Sequence, residues 1–329
     1  MSRRSAAKRS EHGLRLVRWV VLGCCVLLAV LSLLRAPHSA READYCAPVV
    51  KARSGLRGEA AREWDRRSAL YSRMLHNVAR DGVTLVSRAG GTQGLSVREM
   101  FSVNQGGGEL VPRLKLLSVP VRAIVIPLPP AAATAASRLA HATRSALLPV
   151  LGGASVWLQD PDALHMSLFH ASHHMDGEVP ATPGEVDAEV DIVRRIIGSS
   201  CAIRAILERV LVTRGGVVMG AWNVLTGAQP SMIRSQLRAA LPTAPTQLVS
   251  DLPILHMTLA RIVDVDDTHA LMSAVDEISQ SLCGMQITFD TVWFAEEKHA
   301  LALAMRGEYK VRKLPFKTCV GGRALDQSK

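Results

Sequence analysis

The sequence predicts an α+β fold of two similar lobes behind an N-terminal membrane anchor. Three observations carry this: a four-residue phrase that occurs twice, an order of elements that repeats around it, and one uncharged run near the N-terminus. The phrase is His165-Met166-Ser167-Leu168 and again His256-Met257-Thr258-Leu259, preceded by Leu164 and Leu255. Side chains alternate along a strand, so each His shares a face with its hydroxyl partner, Ser167 or Thr258, while the Leu and Met residues enter the core. Two imidazoles brought together in this way can act at one phosphorus, one as base and one as acid. A single His-x-Ser or His-x-Thr is commonplace and usually marks a hydrogen-bonded core histidine. The doubled phrase, apolar at every flanking position, points instead to a site.

The anchor comes first in the chain. Trp19 to Leu34 carries no charge, and Arg3, Arg4, Lys8, Arg9, Arg15 and Arg18 precede it against one acid, Glu11. A run of this length suits a thin bilayer, and the positive-inside rule leaves the basic tail, residues 1–18, in the cytosol. The expected topology is a single-pass type II membrane protein of the endoplasmic reticulum or Golgi, spanning with residues 19–35 and carrying its C-terminal domain in the lumen. A cleaved signal peptide is the main competitor, but His38 stands where a small residue is wanted before a cut near Ala40. A transit peptide fits the Arg and Ser content and not the continuous apolar run. The formal charge of +10 would by itself invite a nucleic-acid reading. Most of it sits in this N-terminal stretch, and the remainder of the chain is mildly basic. Cys24 and Cys25 lie in the apolar run, whereas Cys46, Cys201, Cys283 and Cys319 lie beyond it. That even number permits disulfides in an oxidising compartment without specifying their pairing.

Residues 36–120 read as a stem and adaptor. Within them Leu56, Ala60, Trp64, Leu70, Met74 and Val78 recur at helical spacing, which predicts one or two amphipathic helices over 52–80. Gly90, Gly91 and Gly94, then Gly106, Gly107 and Gly108, lack the strand, spacing and Lys of a P-loop and read as loops. The compact domain is predicted over 121–306. Val121 to Ile126 is a β-branched strand closed by Pro127, and an Ala-rich helix follows over 131–148. A loop through Asp160 and Pro161 feeds the first phrase. Behind it Val186, Val190, Val193 and Ile197 predict a helix over 185–197. Strands at 206–213 and 217–224 join through Arg214-Gly215-Gly216. The second half replays this order. It has a helix over 231–240, the second phrase on a strand at 254–262, and a helix over 267–281. Strands at 286–294 and 300–305 then join through the polar turn Glu296-Glu297-Lys298-His299, and residues 307–329 are left as a C-terminal tail.

Over 121–306 the chain resembles the 2H phosphoesterase superfamily, the LigT-like group often labelled RNA ligase/cyclic nucleotide phosphodiesterase. Its hallmark is two phrases of His, an apolar residue, Ser or Thr, and an apolar residue, both met here at 165–168 and 256–259. The resemblance implies two pseudo-symmetric lobes of antiparallel sheet flanked by helices, with both phrases facing a central cleft. It implies a hydrolase needing no metal or other cofactor. One of His165 and His256 deprotonates the attacking water, the other protonates the leaving oxygen, and Ser167 and Thr258 bind the phosphoryl oxygens. The implied substrate is a 2′,3′-cyclic nucleotide or an RNA end, opened to a monoester.

Other residues compete for attention. His170, His173, His174 and Asp176 suggest a metal cluster, but His-x-x-His-His-x-Asp is not a strong zinc signature. They are read as a polar lip on the cleft, within reach of substrate. Asp264-Val265-Asp266 is an Asp-x-Asp, which on a type II anchored protein suggests a metal-dependent glycosyltransferase. With Asp267 it leads into a helix, where acids satisfy free N–H groups. A catalytically idle phosphate-binding module is a third reading. Aromatic residues make up 4% of the chain, few for a surface that stacks single-stranded bases. Trp157, Trp222, Trp293 and Phe169 are assigned mostly to the core, with room for one at the cleft. A small cyclic phosphate or short RNA end is the expected partner, and long nucleic acid is not.

Overall fold

The computed structural model describes residues 46–85, 95, 97–104, 106, 108–174, 179–246 and 253–319. The run at 19–35 and the tail before it lie outside these residues. Among the described residues no helix is long and apolar enough to cross a membrane.

The described chain opens with two helices, α1 (Ala47–Ser54) and α2 (Gly58–Asp81), and a small hairpin of β1 (Phe101–Val103) and β2 (Leu110–Pro112). In order there follow β3 (Leu116–Pro127), α3 (Ala133–Leu151), β4 (Val156–Leu158), β5 (His165–His170), α4 (Pro183–Ser199), β6 (Ile203–Val212) and β7 (Val217–Thr226). Then come α5 (Pro230–Ala240), β8 (His256–Ile262), α6 (Thr268–Leu282), β9 (Gln286–Phe289), β10 (Thr291–His299), α7 (Ala302–Met305) and β11 (Tyr309–Pro315). Local chemistry sets several of these boundaries. Thr182 and Glu185 cap the start of α4 reciprocally, with Pro183 in the first turn, and Val186, Val190, Val193 and Ile197 are its buried stripe. The Asp267 carboxylate accepts from the His269 and Ala270 N–H groups, so the acidic stretch ends in a helix cap. Gly216, with φ of 77°, turns β6 into β7.

The strands form two larger sheets, in the orders β11-β10-β3-β5 and β4-β8-β7-β6-β9, with antiparallel pairing throughout both. The two phrases lie in different sheets, on β5 and β8, and these two strands touch. Each half of the chain was expected to keep its own strands together, and the structure corrects this. The β6–β7 hairpin that follows the first phrase completes the sheet of the second, while β10 and β11 complete the sheet of the first.

Three further expectations are corrected. The strand expected at 286–294 is two strands in two sheets, β9 on β6 and β10 on β3. Residues 296–299, expected as a turn, continue β10: Glu297 faces inward at 4% exposure and accepts the Leu303 N–H at 2.8 Å, while Glu296 pairs with Arg312 and Lys298 with Glu308. Residues 300–305 are not a strand, because Leu301 and Arg306 both take φ of 55° and bracket the single helical turn α7. The sheet also outruns the expected boundary at 306, since β11 forms a full ladder with β10. The region read as a stem supplies structure as well: α2 lies on β6 and β7, and β3 begins inside that region.

One core underlies both sheets. Ile124, Ile126 and Met166 from the first meet Trp222, Met257 and Ile262 from the second, all at 0% exposure, beneath the apolar faces of α3 to α6. Two disulfides pair the cysteines that the sequence left unpaired. Cys46–Cys283 ties the start of α1 to the end of α6 with Cα atoms 6.1 Å apart, and Cys201–Cys319 ties the approach to β6 to the residues after β11 at 5.7 Å.

Candidate active site

Strand β5 pairs with β3 in the register His165 with Pro127 and Ser167 with Val125, then after an extra residue at Leu168, His170 with Ala123. Strand β8 repeats this against β7: His256 with Ala221, Thr258 with Met219, then after an extra residue at Leu259, Arg261 with Val217. Residues paired directly across a ladder share a face. The expected His–hydroxyl pairing on one face is therefore present in each strand. A bulge reverses the alternation beyond it. Strict alternation would send the fifth residue after each His into the core; the two bulges bring His170 and Arg261 round to the face of the phrase. Arg261 was missed because the sequence reading ended each phrase at its fourth residue.

Three side chains clamp this face. Arg234 of α5, 4% exposed, donates from Nε to the Leu168 carbonyl at 2.8 Å and from Nη2 to the Ser167 and Ile254 carbonyls at 3.4 and 2.8 Å. One guanidinium thus ties β5 to the entry of β8. From the other side α2 holds that entry. The Tyr71 hydroxyl accepts the Leu255 N–H at 3.1 Å and lies 2.9 Å from both the Leu255 and Trp222 carbonyls, to one of which it donates. Arg67, fully buried, donates to the Pro253 carbonyl at 2.8 Å and to the Asn223 and Gln229 side-chain oxygens at 3.0 Å each. The clue in the sequence was an Arg and a Tyr one turn apart inside the apolar stripe of α2.

The site is cationic and half-buried: His165, Ser167, His256 and Thr258 are each partly exposed, above the buried Arg234 and Arg261. The His165 Nδ1 lies 2.9 Å from the Ala163 carbonyl, which fixes the tautomer with Nδ1 as donor and frees Nε2 for chemistry. Burial lowers the His165 pKa, the Ala163 bond opposes this, and Arg261 adds to the lowering. His256 is pushed down to about 4 by burial, then by Arg234, His165 and Arg261, so the two imidazoles stand close enough to feel one another. His170 is also pushed down to about 4, by burial, His173 and His165. Burial drags Arg261 down to about 10, and its Nε and Nη1 have no hydrogen-bond partner. Leaving buried guanidinium donors unpaired is costly, and an anion placed beside them would reduce that cost.

His170 stands on the face of the phrases, whereas His173 is 6% exposed, its ring centroid 4.9 Å from that of His174. The chain is drawn inward there because the Ala171 and Ser172 N–H groups both donate to the Arg122 carbonyl. Asp176 lies outside the described residues. Among the described residues no group of three or more His, Cys, Asp or Glu is arranged to hold a metal ion. A cavity of about 560 Å³ lies at the free edge of β4, lined by Arg144, Trp157, Gln159, Asp160 and Arg306 among others, and neither His165 nor His256 lines it.

No family model matches this chain, and no curated protein does. Solved structures do match. TT0787 of Thermus thermophilus is 17% identical, covering 60% of this chain and 98% of its own, with a TM-score of 0.42. ATU0111 of Agrobacterium tumefaciens, a conserved protein of unknown function, is 17% identical over 66% of this chain and 92% of its own, at 0.44. LigT of E. coli, solved with phosphate, is 14% identical over 60% and 99%, at 0.39. Likeness of this order says nothing about substrate or reaction.

Proposed function

We propose that the chain is a phosphodiesterase that opens a cyclic phosphate by two-histidine acid/base catalysis. The observation behind this is that two touching strands turn His165, Ser167, His256, Thr258 and Arg261, whose Nε and Nη1 have no hydrogen-bond partner, onto the faces their phrases share. The phosphoryl group sits against Arg261, and the Ser167 and Thr258 hydroxyls donate to its non-bridging oxygens. His256, kept neutral by burial and two guanidinium groups, takes a proton from the attacking water. His165, whose Nδ1–H bond to Ala163 favours the cation, gives its Nε2 proton to the leaving ribose oxygen. Burial lowers the pKa of that acid, and the bound anion, with the Ala163 bond, opposes this and restores the cation. A P–O bond to water forms as the P–O bond to the 2′ or 3′ oxygen breaks, and the product is a monoester.

The substrate class is a 2′,3′-cyclic nucleotide or an RNA end carrying the same group. Chelator-treated protein is expected to hydrolyse 2′,3′-cyclic phosphates in a screen of phosphodiesters. Absence of turnover on all of them would overturn the reading. Phosphate binding without turnover would leave an idle binding module, and cation-dependent sugar transfer would favour the glycosyltransferase.

The domain is further proposed to sit in the lumen of an endomembrane compartment, held by residues 19–35. The two disulfides fit an oxidising compartment. A C-terminal tag is expected to resist protease in sealed microsomes and to be cut once detergent is added; digestion without detergent would reject this topology.

A further inference from the structure

The two imidazoles of the proposed site are held in different ways. His165 is fixed through its own ring, since its Nδ1 lies 2.9 Å from the Ala163 carbonyl. The His256 Nδ1 is buried and has no hydrogen-bond partner. A general base works only within hydrogen-bond reach of the proton it takes, so the His256 ring depends on the backbone that carries it. That backbone is gripped at the three residues just before it. Arg67 donates to the Pro253 carbonyl at 2.8 Å, Arg234 donates to the Ile254 carbonyl at 2.8 Å, and the Leu255 N–H donates to the Tyr71 hydroxyl at 3.1 Å.

Of these three bonds, the one made by Tyr71 falls on the residue next to His256. The Tyr71 ring is 0% exposed and packs in a small cluster with Met219 and Ala221. Those two residues of β7 are the ladder partners of Thr258 and His256. Residues directly opposite on a ladder have neighbouring side chains, so the phenol braces the β7 positions beside both polar residues of the second phrase. Its hydroxyl also lies 2.9 Å from the Trp222 and Leu255 carbonyls, which ties β7 to the entry of β8. Burial pushes the phenol pKa up, so the hydroxyl keeps its proton and serves as donor and acceptor together.

We propose that Tyr71 is a positioning residue for His256. It touches neither the attacking water nor the phosphate. It acts by holding Leu255 and Ala221, the chain neighbour and the ladder partner of the base. This assignment rests on the phosphodiesterase reading and deepens it. Helix α2 precedes residue 121, outside the stretch that carries the 2H resemblance, so the catalytic unit of this chain begins with α2.

The test compares Tyr71→Phe with Val78→Ala in the whole chain, on a nucleoside 2′,3′-cyclic phosphate. Tyr71→Phe keeps the ring and removes the hydroxyl. Val78 lies on the same helix in the main core at 0% exposure, so its truncation weakens the fold without removing any of these bonds. Misplacing a reacting group by about 1 Å can cost about 10²-fold, so Tyr71→Phe is expected to lower kcat by about 10–10²-fold with KM little changed. Val78→Ala should melt earlier than the wild type and keep its kcat. A wild-type kcat in Tyr71→Phe, a loss carried by KM alone, or an equal loss of kcat in Val78→Ala would overturn the assignment. Should the wild type hydrolyse no cyclic phosphate, the phosphodiesterase reading fails separately, and NMR of isotope-labelled histidine rings then decides the positioning. A His256 signal that shifts or splits in Tyr71→Phe while the His165 signal stays in place supports it. An unmoved His256 signal, or equal movement of both, rejects it.

Discussion

Replacing either His165 or His256 with alanine is expected to lower kcat by about 10²–10⁴-fold, the contribution of one general acid or base. The two groups act on one transition state, so the double variant should be little worse than either single. Ser167→Ala and Thr258→Ala should each cost less, about 10²-fold, as the loss of one donor to the phosphoryl oxygens. The fold should survive the histidine changes, and pH supplies the check. His256 has its pKa pushed down to about 4, below its ordinary value of 6.5 in an unfolded chain. Between those values the unfolded chain binds more protons, so this contribution to stability is complete above pH 6.5 and lost as pH falls towards 4. His256→Ala should therefore be relatively more stable than the wild type at pH 5 than at pH 7.5 in thermal unfolding, while turnover stays lost at both. Either single variant retaining turnover within tenfold of wild type would sink the two-histidine mechanism.

Local pattern carried much of the fold and longer-range pairing did not. The helices at α4, α5 and α6 announce themselves through apolar spacing and caps such as Thr182 with Glu185, because these signals lie within a few residues of one another. Which sheet a strand joins is decided by partners far along the chain. Nothing near Asp290 states that Gln286–Phe289 belongs with β6 and Thr291–His299 with β3. Strand alternation likewise placed His165 with Ser167 and His256 with Thr258, since two residues suffice to set a face. It failed three residues later, where the bulges at Leu168 and Leu259 reversed the faces. The charge of Arg261 inside Leu259-Ala260-Arg261-Ile262 was the visible sign, an Arg where the alternation asked for a core residue. The polar chemistry of α2 was hidden by distance instead: Arg67 and Tyr71 find their acceptors at Pro253, Asn223, Trp222 and Leu255.

Replacing Arg261 with methionine is expected to make the protein more stable and far less active. Arg261 is 5% exposed, and neither its Nε nor its Nη1 has a hydrogen-bond partner. Methionine fills a similar volume without the charge, so the cost of burying a guanidinium with unpaired donors is removed. The same change removes the cation proposed to meet the phosphoryl group, which should lower kcat/KM about 10²–10³-fold, as for loss of an oxyanion donor. Phosphate should raise the melting temperature of the wild type by binding the folded state, and Arg261→Met should abolish that rise. Arg234 provides the contrast, being equally buried but committed to the Leu168, Ser167 and Ile254 carbonyls. Arg234→Met leaves those acceptors without their donor and should destabilise the fold by about 3 kcal/mol or more. Two buried arginines at one site are thus expected to shift the melting temperature in opposite directions, one as an anion receptor and the other as a clamp. An Arg261→Met protein that melts earlier than the wild type and keeps its turnover would show that this guanidinium is structural, and the phosphate would have to be placed elsewhere.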